Sequence, residues 1–294
     1  MDILDRVSVA LGERSYSVVI ASTYSALVEE LRRVLEFQRV IVVSDDHVAP
    51  LYLPEVRQRL IESGFEVSSV VLPAGEENKT LAVWQTVLDE ILAAGAQRRI
   101  PILALGGGVV GDIAGFAAAT ALRGLPLVQL PTTLLAMVDA SIGGKTGVNH
   151  ESGKNLVGAY HQPKLVYAAL DTLSTLDMAD YRAGLGEVVK AAIIGDARLF
   201  STLEESAPDL VARDSGLLAE VVARCVKIKV DVVEADELDF GWRAVLNAGH
   251  TVAHALERAT GFGHLRHGEA VAWGLVAEAR WAVRKKICPE PDLP

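Results

Sequence analysis

Between residues 16 and 170 the chain alternates short β-branched, apolar runs with amphipathic stretches, and that alternation restricts the fold more than any other feature. The runs are YSVVIA (16–21), RVIVVS (39–44), EVSSVVL (66–72), IPILAL (100–105), PLVQL (126–130) and LVYAAL (165–170). They predict βαβ units and a mostly parallel sheet covered by helices. After DTLSTLDMAD the strand-like runs stop. YRAGLGEVVKAAIIG, SGLLAEVVARCVKIKVDVVEA, FGWRAVLNAGHTVAHALERATG and HGEAVAWGLVAEARWAVRKK all carry helical periodicity. The expected organisation is an α/β domain over 1–175 followed by an all-α domain over 176–294. No repeat, low-complexity tract or Gly/Ser linker separates them, so they should meet closely and bind ligand in the cleft between them.

Composition narrows the class of partner. A net charge of −10 and a pI near 5.2 disfavour a general electrostatic association with nucleic acid or an anionic membrane. Cys225 and Cys288 are far apart and lack CxxC spacing, which fits a reduced, cytoplasmic protein. The N-terminus MDILDRVSVALGERSYSVVI has no basic start followed by an apolar run, as a signal peptide would. The stretch from Pro101 to Leu122 carries one charge, Asp112, over roughly a membrane-spanning length. Three consecutive glycines would break a spanning helix there, so it reads as strand, turn and helix.

That turn, LALGGGVVGDIAG, follows a predicted strand and opens a predicted helix. Gly106, Gly107, Gly108 and Gly111 would let backbone amides approach a pyrophosphate at the helix start. The spacing is not GxGxxG, and a tight turn serving only helix-on-sheet packing is the alternative. Glu76 and Lys79 in AGEENKTL, and Asp45 in SDD, stand at other predicted strand ends, where open α/β sheets bind ligands. Three strand ends carrying compatible groups favour a dinucleotide site over ordinary loop charges.

The segment from 131 to 160, PTTLLAMVDASIGGKTGVNHESGKNLVGAY, is dense in Gly, Thr, Ser and Asn. Lys145 and Lys154 on glycine-rich turns have little to pack against, so an anion such as phosphate is their expected employment. Further on, His250 and His254 share a helix face as in HExxH, but Thr251 stands where the glutamate would follow. Metalloprotease chemistry is therefore disfavoured. Glu187, His250 and His267 supply two imidazoles and one carboxylate, a common catalytic zinc set. By spacing alone this trio is one choice among several.

Taken together, GGGVVGDIAGFAAATALRG, PTTLLAMVDASIGGKTGVNHESGKN, AGLGEVVK, DVVEADE, LNAGHTVAHALE and HGEAVAWG resemble the 3-dehydroquinate synthase family, over nearly the whole chain and in the same order. The resemblance implies an α/β N-terminal nucleotide-binding domain with a mostly parallel sheet and an all-α metal- and substrate-binding domain. It implies NAD and a divalent metal, Zn²⁺ or Co²⁺, converting 3-deoxy-arabino-heptulosonate 7-phosphate to 3-dehydroquinate and phosphate in the shikimate pathway. Carried over by position, the metal falls to Glu187, His250 and His267. NAD falls to Asp45, Glu76, Lys79, the turn of Gly107, Gly108, Val109, Gly111 and Asp112, then Thr132, Thr133 and the turn from Thr172 to Thr175, with Lys145 and Lys154 alongside. Substrate falls to Asp139, Lys145, Lys154, Asn155, Lys190, Lys229, Arg243, Asn247 and His254. Arg123 resembles a residue reaching the neighbouring subunit's site, which implies a homodimer.

Two departures from the family stand out. Asp239 replaces a usual glutamate, one methylene longer, and family members usually continue through further helices that bring another substrate-facing lysine. Apolar surface on the helical part would then be exposed. The rival expectations are a related sugar phosphate cyclase with another substrate and an inactive, shortened homologue that binds NAD and metal. Lys229 and Arg243 argue against the first, because a paired cationic clamp suits a substrate carboxylate. A glycerol dehydrogenase type of oxidation would not need the phosphate-binding cluster.

Overall fold

The computed structural model describes residues 2–260 and 265–287. Its strands are β1 (Ile3–Val9), β2 (Tyr16–Ala21), β3 (Arg39–Asp45), β4 (Glu66–Leu72), β5 (Ile102–Gly106), β6 (Leu127–Pro131), β7 (Lys145–His150), β8 (Gly153–Tyr160) and β9 (Leu165–Ala169). Its helices are α1 (Leu27–Val34), α2 (Ala49–Glu62), α3 (Leu81–Ala93), α4 (Gly108–Thr120), α5 (Met178–Gly195), α6 (Ala197–Glu205), α7 (Ala207–Val211), α8 (Ser215–Ala235), α9 (His250–Thr260) and α10 (His267–Arg284). Cys288 lies outside the described residues. Among the described residues no helix is long and apolar enough to cross a membrane.

One sheet runs in the order β1-β2-β9-β6-β5-β3-β4, parallel except for the β1–β2 pair. Side-chain alternation explains why its central strands are apolar throughout. On β3, Ile41 and Val43 face a core with Ile102, Ala104, Val110 and Ile113, whereas Val40 and Val42 face a second core with Leu27, Leu31, Val56 and Leu60. Both faces are dry. At the β2–β9 side, Val18, Ile20, Val166 and Ala168 join a third core with Val188, Val222 and Val226, so α5 and α8 pack on the same sheet.

Two segments differ from the expectation. Residues 145–160 form an antiparallel hairpin, β7–β8, rather than turns. Gly147 and Gly158 face each other across it, and a Cβ on Gly158 would lie 2.0 Å from the Thr146 carbonyl oxygen. The pairing therefore rests on close backbone approach instead of β-branched side chains. The predicted helix from 240 to 261 is broken: a 3₁₀ stretch spans Trp242–Asn247, and α9 begins only at His250. Gly249 between them has φ +80°, a conformation that glycine adopts without steric cost. On α10, Trp273 and Trp281 are exposed.

Candidate active site

A carboxylate and two imidazoles meet where three helices touch, and each stands beside a glycine. Glu187 follows Gly186 on α5, His250 follows Gly249 at the start of α9, and His267 precedes Gly268 at the start of α10. A Cβ on Gly186 would lie 2.1 Å from the Gly268 oxygen, and one on Gly268 would lie 1.8 Å from the Ala183 oxygen. Helices α5 and α10 thus cross backbone to backbone. A Cβ on Gly274 would lie 2.0 Å from the Gly249 oxygen, so α10 also abuts the turn before α9.

These crossings place His267 Nε2 3.6 Å and His250 Nε2 4.0 Å from Glu187 Oε1. One ligand atom from each of the three lies within 4.8 Å of the others. The remaining ring nitrogens face acceptors: His250 Nδ1 is 3.2 Å from the Ala248 oxygen and His267 Nδ1 is 3.4 Å from Glu257 Oε1. A proton held on Nδ1 leaves the Nε2 lone pair for a metal. Burial and the Lys190 ammonium push the His250 pKa down, toward the neutral, ligating form. A second set, His254, Glu257 and His267, also gathers its ligand atoms within 4.8 Å. There the Lys154 ammonium is 2.9 Å from Glu257 Oε1, the same oxygen that His267 faces, whereas in the first set Lys190 lies on the Glu187 oxygen that the imidazoles do not face.

Around the trio lies a knot of cations. Asp139 sits on a π-helical turn, Ala136–Ala140, and accepts a 2.5 Å hydrogen bond from Lys229 of α8, with Lys190 of α5 at 3.8 Å. Burial would raise the Asp139 pKa, but the two ammonium groups hold it far below the carboxylate range. Lys190 also pairs with Glu187. Burial lowers the Lys229 pKa despite Asp139. Arg243 is almost fully buried and donates to the Gly143 and Glu237 carbonyl oxygens at 3.0 and 2.6 Å. Gly143 admits it, since a Cβ there would lie 2.3 Å from Arg243 Nη2. Lys145 on β7 reaches Asp239 at 2.5 Å, so the shorter acid still closes that pair. Asn247 is exposed at the end of the 3₁₀ stretch, and His254 lies one turn beyond His250.

The residues expected at a dinucleotide follow the carboxyl ends of parallel strands. Asp45 ends β3; Glu76 and Lys79 follow β4; Gly107, Gly108, Val109, Gly111 and Asp112 follow β5; Thr132 and Thr133 follow β6; Thr172 and Thr175 follow β9. This is the edge where open α/β sheets bind ligands. Gly107, with no side chain, leaves the amides at the start of α4 uncovered, and among the described residues the buried Thr132 hydroxyl has no hydrogen-bond partner. Both fit a bound pyrophosphate or ribose. Other groups are engaged within the protein. Asp45 Oδ1 accepts from the His47 and Val48 amides, Glu76 accepts from Asn149, and the Thr172 hydroxyl donates to the Ala169 oxygen. Thr175 Oγ1 lies 2.5 Å from the Tyr52 hydroxyl. Lys79 joins the start of α4 to the β7–β8 hairpin, bonding Asp112 and Asn155 at 2.5 Å each. Burial opposes its charge, yet Asp112 and Glu76 hold its pKa above the ordinary value. Arg123 is exposed on the turn after α4, with φ +68°.

Sequence reasoning missed Glu257. Its signal was present: HTVAHALE places it seven residues after His250 and three after His254, on one helix face.

Residues 69–183 match the 3-dehydroquinate synthase N-terminal family, and residues 184–293 match the C-terminal family. The chain belongs to the 3-dehydroquinate synthase family. The 3-dehydroquinate synthase of Pelobacter propionicus is 47% identical over 289 residues, covering 98% of this chain and 80% of that one. Among solved structures, 2-deoxy-scyllo-inosose synthase complexed with carbaglucose-6-phosphate, NAD⁺ and Co²⁺ superposes with a TM-score of 0.88 at 31% identity, covering 97% of this chain and 79% of that one. ValA, the 2-epi-5-epi-valiolone synthase of Streptomyces hygroscopicus with NAD⁺ and Zn²⁺ bound, gives 0.87 at 34% identity, covering 95% of this chain and 77% of that one. The 3-dehydroquinate synthase family thus accounts for both the sheet and the helical part.

Proposed function

We propose that this chain converts 3-deoxy-arabino-heptulosonate 7-phosphate to 3-dehydroquinate and phosphate. The observation that carries the reading is the convergence of Glu187, His250 and His267 beside the Lys190–Asp139–Lys229 cluster and the buried Arg243. Family membership names the substrate. When bound, a divalent zinc or cobalt ion supplies Lewis-acid polarisation of a substrate hydroxyl, and NAD supplies a reversible hydride acceptor.

The chain's own residues do the rest by placement. Glu187, His250 and His267 would hold the metal, since both Nε2 atoms face the carboxylate. Lys229 and Arg243 form a clamp for the substrate carboxylate, and Arg243 is preorganised by its two carbonyl bonds. Lys145, Lys154, Asn155 and His254 would take the phosphate end. Lys190, Asn247 and Asp139 position the ring hydroxyls between them. Asp45, Glu76, Lys79, Thr132, Thr133, Thr172 and Thr175 would line the NAD site, with the Gly107–Asp112 turn under the pyrophosphate. Holding a dianionic phosphate rigid lets it act as the base for its own elimination, which leaves alignment and electrostatics to the protein.

The same reading divides the chain near residue 175 into a nucleotide-binding and a metal- and substrate-binding domain. It makes the enzyme a cytoplasmic homodimer in which the exposed Arg123 reaches the neighbouring site, acting in chorismate and aromatic amino acid biosynthesis, with no nucleic-acid or membrane partner. The test is phosphate release by the purified, metal-loaded chain with catalytic NAD⁺. Stoichiometric dehydroquinate, lost in Glu187→Ala, is the expected result. Absence of turnover in a chain that binds both NAD⁺ and zinc would refute it.

A further inference from the structure

Glu257 is a charged side chain at 2% exposure on α9, and neither its helix nor the core explains its presence. It is one turn beyond His254 and faces α10. Its Oε1 receives two contacts: Lys154 Nζ from the hairpin at 2.9 Å and His267 Nδ1 at 3.4 Å. Burial opposes its charge, but hydrogen bonds from His267 and Lys154 hold its pKa down, at about 2. Its second oxygen is buried with no hydrogen-bond partner among the described residues. A buried carboxylate with one free oxygen is costly, so its two cationic or donor contacts must be what retains it.

The two imidazoles of the trio are held in different ways. His250 Nδ1 faces a backbone carbonyl fixed by the Gly249 turn, whereas His267 Nδ1, among the described residues, faces the Glu257 side chain. His267 opens its helix, and its side chain is about one third exposed, the most exposed of the three. Packing alone does not fix its ring. We propose that Glu257 is a positioning residue, whose carboxylate keeps the proton on His267 Nδ1 and turns Nε2 toward Glu187 and His250, while Lys154 anchors the carboxylate from the phosphate-binding hairpin. This inference rests on the metal assignment made above. It also links the two ends of the site, because the same oxygen bridges a metal ligand and the hairpin.

The experiment measures zinc affinity by chelator competition, without substrate or NAD⁺, for the wild-type chain, Glu257→Leu, Glu257→Gln and Glu187→Ala. Outer partners of ligating histidines are typically worth about 10–100-fold in metal affinity, and that loss is expected for Glu257→Leu. Glu257→Gln keeps an acceptor oxygen without the charge and should lose less. Histidine ¹⁵N spectra of the zinc-loaded chain, assigned with His267→Gln, should show His267 protonated at Nδ1 in the wild type and an altered signal in Glu257→Leu. A merely structural carboxylate would not move that signal. Thermal melts of the metal-free variants check folding, and if the leucine variant does not fold, the glutamine variant decides by the same two readouts. Unchanged affinity and an unchanged His267 spectrum, with Glu187→Ala unable to bind zinc, would overturn the role of Glu257 alone. Wild-type zinc affinity in Glu187→Ala would overturn the metal assignment and this inference together. Loss of a second zinc equivalent in Glu257→Leu would make Glu257 a ligand and overturn positioning.

Discussion

Gly268→Ala tests how the trio is assembled. The new Cβ would sit 1.8 Å from the Ala183 carbonyl oxygen and 2.6 Å from its carbon, both backbone atoms of α5 that no rotamer change can clear. A carbon–oxygen contact settles near ~3.3 Å, so α10 must withdraw from α5 by roughly 1.5 Å at this point. His267 is the adjacent residue and must move with it. Zinc–nitrogen bonds are about 2.0–2.1 Å and tolerate about 0.2 Å, so the shift would carry His267 out of reach of the zinc proposed above. Zinc affinity should fall by more than the ~100-fold at the upper end of the loss from an outer partner. Overpacking should cost the metal-free protein about 1–3 kcal/mol, lowering its thermal midpoint by several degrees. Gly216→Ala on α8 is the control: its Cβ meets only the Asp214 carboxylate oxygen, at 3.4 Å. Chelator competition and calorimetry read both effects. A Gly268→Ala chain with wild-type zinc affinity and midpoint would refute the backbone crossing as the device that brings Glu187 and His267 together.

Three further outcomes are expected. Gly158→Ala drives a Cβ to 2.0 Å from the Thr146 oxygen across the hairpin; moving Lys154 and Asn155 by about 1 Å should cost roughly 100-fold in kcat/KM for the sugar phosphate and, through the Lys154–Glu257 contact, a smaller loss of zinc affinity, below about 10-fold. Equal loss of zinc would refute the separation of the two effects. Asp196 caps α6 through the Arg198 and Leu199 amides and forks with Arg224, so Asp196→Ala should lose about 1 kcal/mol or somewhat more in urea unfolding at pH 7. The Leu199 amide and the Arg224 guanidinium lower the Asp196 pKa in the folded state. Its contribution is then complete above the unfolded carboxylate value of about 3.9 and lost as pH falls through the folded value. A gap between the two chains that widened with acid would contradict this. Burial raises the Cys225 thiol to about 12, so in a Cys288→Ser chain a disulfide reagent at pH 8 should label only after denaturation. Rapid native labelling would show that the α5–α8 core opens.

What the sequence disclosed depended on whether the decisive constraint was local. Strands β3, β5, β6 and β9 were legible because both of their faces are buried, which writes a continuous apolar run into each. β1 was not, since an edge strand with exposed Leu4 carries half that signal. The β7–β8 hairpin was illegible for a different reason: Gly147 and Gly158 specify it by facing each other, a relation between positions eleven apart that no residue's own propensity reports. The proposed metal trio has the same character. Spacing displayed His250 and His254 on one face, but the choice of partners is made by Gly186, Gly249, Gly268 and Gly274, which let α5, α9 and α10 meet at backbone distance. In a helix interior each glycine gives up about 1 kcal/mol relative to alanine. Read locally, Gly186 and Gly268 look like defects in good helices. Their positions directly beside Glu187 and His267 make better sense as the condition for these two side chains, 80 residues apart, to stand 3.6 Å from each other. A glycine adjacent to a lone His, Asp or Glu inside a helical pattern is therefore the sequence feature that would have separated this trio from its competitors.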